Sequence, residues 1–214
     1  LIDGRTSEAA TGLRNEWSVA EGLRLHTTFE RVTPFTGVST NRSTAATLAA
    51  DYTRPADWKA TGRVEGRFAP TADNYLSTIG YARKINDAWT FLGRSILSSQ
   101  IAGAPDRGPI GGSPAAATPD LFQGRLLAGL AWRQTPKDEW NALLRYEYKY
   151  EQGSPDLGAT DLHRQVHLLA LSTNYQPSTR WILAGHYATK FVHETYDQGP
   201  GGDYSVHLLA GRVI

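Results

Sequence analysis

Polar and apolar residues alternate along most of this chain. From Trp58 to Phe68 it reads WKATGRVEGRF. Trp58, Ala60, Gly62, Val64, Gly66 and Phe68 share one parity, and Lys59, Thr61, Arg63, Glu65 and Arg67 share the other. Successive side chains of a strand point to opposite faces, so this segment predicts a strand with one wholly polar face. Trp140 to Tyr150, WNALLRYEYKY, repeats the pattern with Leu143 as its one departure. A helical period of 3.6 would mix the two sets. Eleven such segments stand out, near 10–19, 23–32, 45–54, 58–68, 74–85, 88–98, 121–134, 140–151, 163–175, 181–193 and 204–214. Most match the 9–11 residues of a tilted membrane strand and exceed the 5–6 of an ordinary one.

The connections sort by length. Short turns follow every odd-numbered segment: Ala20-Glu21-Gly22, Pro55-Ala56-Asp57, Asn86-Asp87, Pro136-Lys137-Asp138-Glu139 and Gln176 to Arg180. These are rich in turn formers. The others, near 33–44, 69–73, 99–120, 152–162 and 194–203, are mostly longer and polar. An up-and-down meander puts all short turns at one end. Outer-membrane barrels do this, with short periplasmic turns and long extracellular loops.

The aromatic residues sort the same way. Trp58, Trp89, Trp140 and Trp181 follow short turns, while Trp17 and Trp132 precede them. Tyr146, Tyr148 and Phe191, with Phe29, Phe68, Tyr75, Phe122, Tyr150 and Tyr204, lie toward the other end. Tyr52, Tyr81 and Tyr175 stand apart as exceptions near the turns. Trp and Tyr favour membrane interfaces because each ring system has an apolar body and a hydrogen-bonding tip. Two such belts predict the girdles of a membrane barrel. The reading is therefore an all-β, antiparallel, up-and-down transmembrane β-barrel, one domain over residues 1–214, set in the bacterial outer membrane.

Composition alone hides this. Lys+Arg is 22 and Asp+Glu is 21, so charge points to no nucleic-acid partner. The mean hydropathy is −0.41, and no apolar run reaches the roughly 18 residues of a membrane helix. With no cysteine, disulfides, thiolate metal sites and a Cys nucleophile are excluded. Leu1 is no natural start, so the chain reads as mature or truncated.

The strand parities assign a lumen-facing set: Arg14, Glu16, Arg24, His26, Glu30, Asp51, Lys59, Arg63, Glu65, Arg67, Arg94, Arg125, Arg133, Arg145, Glu147, Lys149, His167, His186 and Lys190. Charges must avoid lipid, where Arg or Lys costs about 2–4 kcal/mol at the midplane. The set reads either as cross-strand ion pairs lining a wet lumen or as a pore, with the basic excess on 58–68 and 121–134 favouring anions. Chemistry is sparse. His163 and His167 share a face, yet no metal set and no cofactor motif emerges. His193, Glu194 and Asp197 lack the spacing of a catalytic constellation.

Four runs, GRTSEAATGLRNEWSVAEGLRLHTTFERV, WTFLGRSIL, WNALLRYEYKYE and RQVHLLALSTNYQPS, carry a family resemblance. They resemble the C-terminal OmpA/porin-like barrel regions of large proteobacterial surface proteins, whose upstream parts carry immunoglobulin-like repeats of the DUF11 or SdrD-like kind. The resemblance implies a barrel that anchors or exports a surface region, and no catalytic residues. It also implies contacts with outer-membrane lipid, lipopolysaccharide and the barrel-insertion machinery. Two departures follow. An odd strand number is foreign to single-chain bacterial barrels, and Arg212-Val213-Ile214 is not an aromatic ending. We therefore expect a fragment that further strands or another chain would close. Anchor, porin-like channel, barrel enzyme and soluble lipocalin-like barrel are the competing roles.

Overall fold

A computed structural model describes residues 8–34, 42–54, 57–70, 72–102, 120–135, 137, 139–153, 162–197 and 199–213. They form strands β1 (Glu8–Ala20), β2 (Leu23–Pro34), β3 (Ser43–Arg54), β4 (Trp58–Phe68), β5 (Ala72–Lys84), β6 (Trp89–Ala102), β7 (Leu121–Arg133), β8 (Trp140–Gly153), β9 (Leu162–Ser178), β10 (Trp181–Tyr196) and β11 (Gly202–Val213). All eleven lie in one sheet in chain order, each antiparallel to its sequence neighbours. The expected all-β, up-and-down architecture is the observed one. Bounds differ mainly on the side of the long connections, where β6 runs to Ala102 and β10 to Tyr196. An antiparallel ladder continues while both backbones run side by side, whether or not the side chains still alternate.

The short turns show their chemistry. Gly22 has φ +76, a left-handed conformation. Its carbonyl accepts from the Thr53 amide at 2.9 Å, and a Cβ there would strike the Thr53 carbonyl. The Asn86 Oδ1 accepts from the amides of Ala88 and Trp89, each at 2.9 Å. The turn expected over Gln176 to Arg180 is tighter than the sequence reading. β9 extends to Ser178, and the register shifts between Trp181 and Leu183. The bulge this makes in β9 takes in Pro177, which has no amide to give to a ladder. Pro55, Ala56, Pro136 and Asp138, and most of the loops 33–44, 101–120 and 152–162, lie outside the described residues.

No second layer covers the sheet among the described residues. The chain exposes 15408 Å², against roughly 9,800 Å² for a compact chain of this mass. The buried apolar residues are Ala45, Ala72, Val166, Ala170 and Val192. Among the described residues, β1 pairs only with β2 and β11 only with β10, and β11 is exposed from end to end.

Candidate functional site

Directly paired residues of an antiparallel sheet share a face, so the registers carry each side across all eleven strands. One face bears Arg14 and Glu16 on β1, then Arg24, His26 and Glu30 on β2. It continues through Asp51 on β3 and Lys59, Arg63, Glu65 and Arg67 on β4. Arg94 follows on β6, Arg125 and Arg133 on β7, and Arg145, Glu147 and Lys149 on β8. His186 and Lys190 complete it on β10. His167 does not belong to it. Its partners Tyr148 and Phe191 place it on the opposite, aromatic face. The segment HLLAL has apolar residues on both parities, so alternation alone misassigns it.

The charged face is cross-linked. His26 lies 3.6 Å from Glu16 and 3.2 Å from Asp51, bridging β1 to β3. Arg63 meets Glu65 at 2.5 Å. Glu147, only 5% exposed, is held by Arg125 at 2.7 Å and Lys149 at 3.7 Å. Arg164, absent from the expected set, meets Glu194 at 2.9 Å and Glu151 at 3.7 Å. It escaped because the run RQVHLL gives no clean parity. Among the described residues, Lys59, Arg67, Arg94, Arg145 and Lys190 have no carboxylate partner, and Glu30 has no cation.

The other face holds Trp17, Trp58, Trp89, Trp132, Trp140 and Trp181 toward the short turns, and Tyr146, Tyr148 and Phe191 toward the long connections. The tyrosines that looked exceptional belong to the Trp belt. Tyr52 packs on Trp58 at 4.5 Å between ring centroids, Trp58 on Tyr81 at 6.0 Å, and Trp140 stacks on Tyr175 at 4.2 Å. Trp89 and Trp132 face each other across β6 and β7 at 6.2 Å. Phe68 with Tyr75 and Phe122 with Tyr150 form the second belt. Polar groups on this face include Asn15 opposite Thr27, Arg31, Asp73 and Arg83, and others form contacts near the far ends of β8 to β11. There Tyr146 meets His167 at 2.8 Å, Tyr187 meets His207 at 3.0 Å, and His193 pairs with Asp203.

Reactive constellations are thin. The Ser172 hydroxyl lies 2.9 Å from Nδ1 of His186, with no carboxylate behind that imidazole among the described residues. No group of three His, Cys, Asp or Glu side chains comes together among them to hold a metal ion. What the arrangement offers is a continuous wall, charged on one side and apolar with two aromatic belts on the other.

No family model matches this chain, and no curated protein matches it. Solved structures do. The outer membrane channel DcaP of Acinetobacter baumannii superposes with a TM-score of 0.55 at 14% identity, over 95% of this chain and 62% of that one. The unliganded ferric citrate transporter FecA superposes with a TM-score of 0.55 at 9% identity, over 99% of this chain and 39% of that one. This chain thus spans about three-fifths of the channel and two-fifths of the transporter. At these identities the likeness shows the fold, that of an outer-membrane β-barrel wall.

Proposed function

We propose that this chain forms most of the wall of a bacterial outer-membrane channel whose lumen passes small polar solutes and favours anions. The observation that carries the reading is the charged face. The chain as a whole is nearly balanced, with 22 Lys+Arg to 21 Asp+Glu. On this one face the cations outnumber the carboxylates, and Lys59, Arg67, Arg94, Arg145 and Lys190 are left without a described carboxylate partner. Such a surface raises the local concentration of anions.

Two further points support placing that face inside. The five buried apolar residues and Glu147 all lie on it, as expected where a curving sheet crowds its inner side chains. Most of the large exposed hydrophobics, from Leu13 and Leu48 to Leu126 and Leu171, lie on the other. That side would meet lipid and lipopolysaccharide, with the Trp belt and short turns periplasmic and the long loops extracellular. Insertion would draw on the barrel-insertion machinery, and closure on further strands of the same or another polypeptide. Structures of a channel and a transporter share the fold, which agrees with a transport role.

Reconstitution into planar bilayers tests this. Under a potassium chloride gradient we expect steady unitary currents whose reversal potential shows chloride preferred over potassium. A potassium preference would sink the anion reading. Absence of steady current would leave the wall as the anchor of a surface region, the role that the sequence resemblance implies.

A further inference from the structure

The charged face is not uniform around the sheet. On β6 to β8 it carries Arg94, Arg125, Arg145 and Lys149. Across the next three strands it turns apolar, with Val166, Leu168 and Ala170 on β9, Val192 on β10, and Val206 and Leu208 on β11. The boundary runs between β8 and β9, where Arg145 pairs with Ala170, Glu147 with Leu168 and Lys149 with Val166. Val206 and Leu208 lie on the terminal described strand, with their side chains on the same face as Lys190.

One cation sits in its middle. Lys190 is opposite Leu168 on β9 and Val206 on β11. Its same-face neighbours along β10 are Ala188 and Val192. It is half-buried, and no described carboxylate reaches it. The acid in its own row, Glu147, is already bound by Arg125 and Lys149. A cation among apolar groups with no counter-charge is costly to keep and gains from an incoming anion. The hydrocarbon around it gains from an apolar body on that same anion.

We propose that β9 to β11 form a binding patch for an amphipathic organic anion, a single carboxylate on an aromatic ring or short hydrocarbon chain. The carboxylate meets Lys190, and the apolar body lies on Leu168, Val206 and Leu208. Three strands span about 10 Å, the length of a one- or two-ring acid. The inference rests on the lumen placement of the charged face and names the solute class that face would select.

Benzoate and acetate, equal in charge, are the probes. In bilayers holding the protein purified from outer membranes, benzoate should reduce the chloride current at far lower concentration than acetate. Lys190→Met should weaken benzoate about fivefold, the worth of one half-exposed ion pair, and Leu168→Ser should bring it down to acetate. A second readout is independent of current. Saturation-transfer NMR on the detergent-solubilised protein should detect benzoate, with its titration midpoint raised about fivefold in Lys190→Met. Steady current with benzoate and acetate indistinguishable overturns the patch and leaves the channel standing. Benzoate bound at Lys190 without any current upholds the patch and removes the channel.

Discussion

Glu147 concentrates the electrostatics of the charged face in one residue. It neutralises part of two cations at once, Arg125 and Lys149. Glu147→Gln should therefore raise the chloride preference of the proposed pore, and Arg125→Gln should lower it. Reversal potentials of the two variants, measured beside the parent, check the opposite signs; a shift in the same direction for both would remove these side chains from the conduction path. At the rim, the Lys84 ammonium 2.6 Å from the Asp87 carboxylate holds that acid below its ordinary value of 3.8, first by hydrogen bonding and then by charge. A depressed acid stabilises the folded turn above the unfolded value, and that contribution fades as pH falls through the folded one. Lys84→Gln should return Asp87 to the ordinary value, read by NMR titration of its carboxyl carbon. An unchanged midpoint would show that the pair does not form in solution.

Strands and hairpins were the most legible elements in the sequence, because alternation over ten residues admits one periodicity. The limits of that legibility are equally physical. Where both parities are apolar, as in HLLAL on β9, the residues do not choose a face, and only the register with Tyr148 and Phe191 places His167. The same ambiguity hid the apolar patch and Arg164. Tyr52, Tyr81 and Tyr175 are placed near the turns, but their partners in the Trp belt come from neighbouring strands and were not legible. Leu48 and Thr47, adjacent on β3, test the face assignment directly. Leu48 is 57% exposed on the aromatic face, while Thr47 lies opposite Thr28 and Glu65 on the charged one. In lipid vesicles Leu48→Arg should cost about 2–4 kcal/mol and Thr47→Arg close to nothing. Urea unfolding in those vesicles reads the difference, and equal costs would contradict the two-faced wall. At the β1–β2 turn, Gly22→Val forces a β-branched residue into a left-handed conformation against the Thr53 carbonyl. A loss of about 2 kcal/mol is expected in the same assay.

At the scale of the whole molecule, the meander follows from the sequence, but its closure does not. Nothing in a strand's own residues says which strand lies across from it unless a short turn forces the pairing. The sides of β1 and β11 that have no strand partner among the described residues show this. In the proposed membrane wall their backbone groups would have no water to turn to, so that wall requires a further strand on each side. Amide exchange gives the measurement. In lipid, β11 amides should be as protected as those of β10, and rapid exchange along β11 would show that this side faces water instead.

Among the described residues, every strand touches only the strands before and after it in the chain. The consequence is modular growth. A hairpin inserted between two others widens the wall by roughly 10 Å of arc and disturbs no contact beyond its own two flanks. The recurring phrases PADWKAT, NDAWTFL, KDEWNAL and STRWILA, at four of the five short turns, read as copies of such a unit. The girth of a wall of this kind is therefore a matter of how many copies are strung together. Lineages can change it by duplication or loss of a single hairpin, leaving the belts and the charged lining of the rest in place.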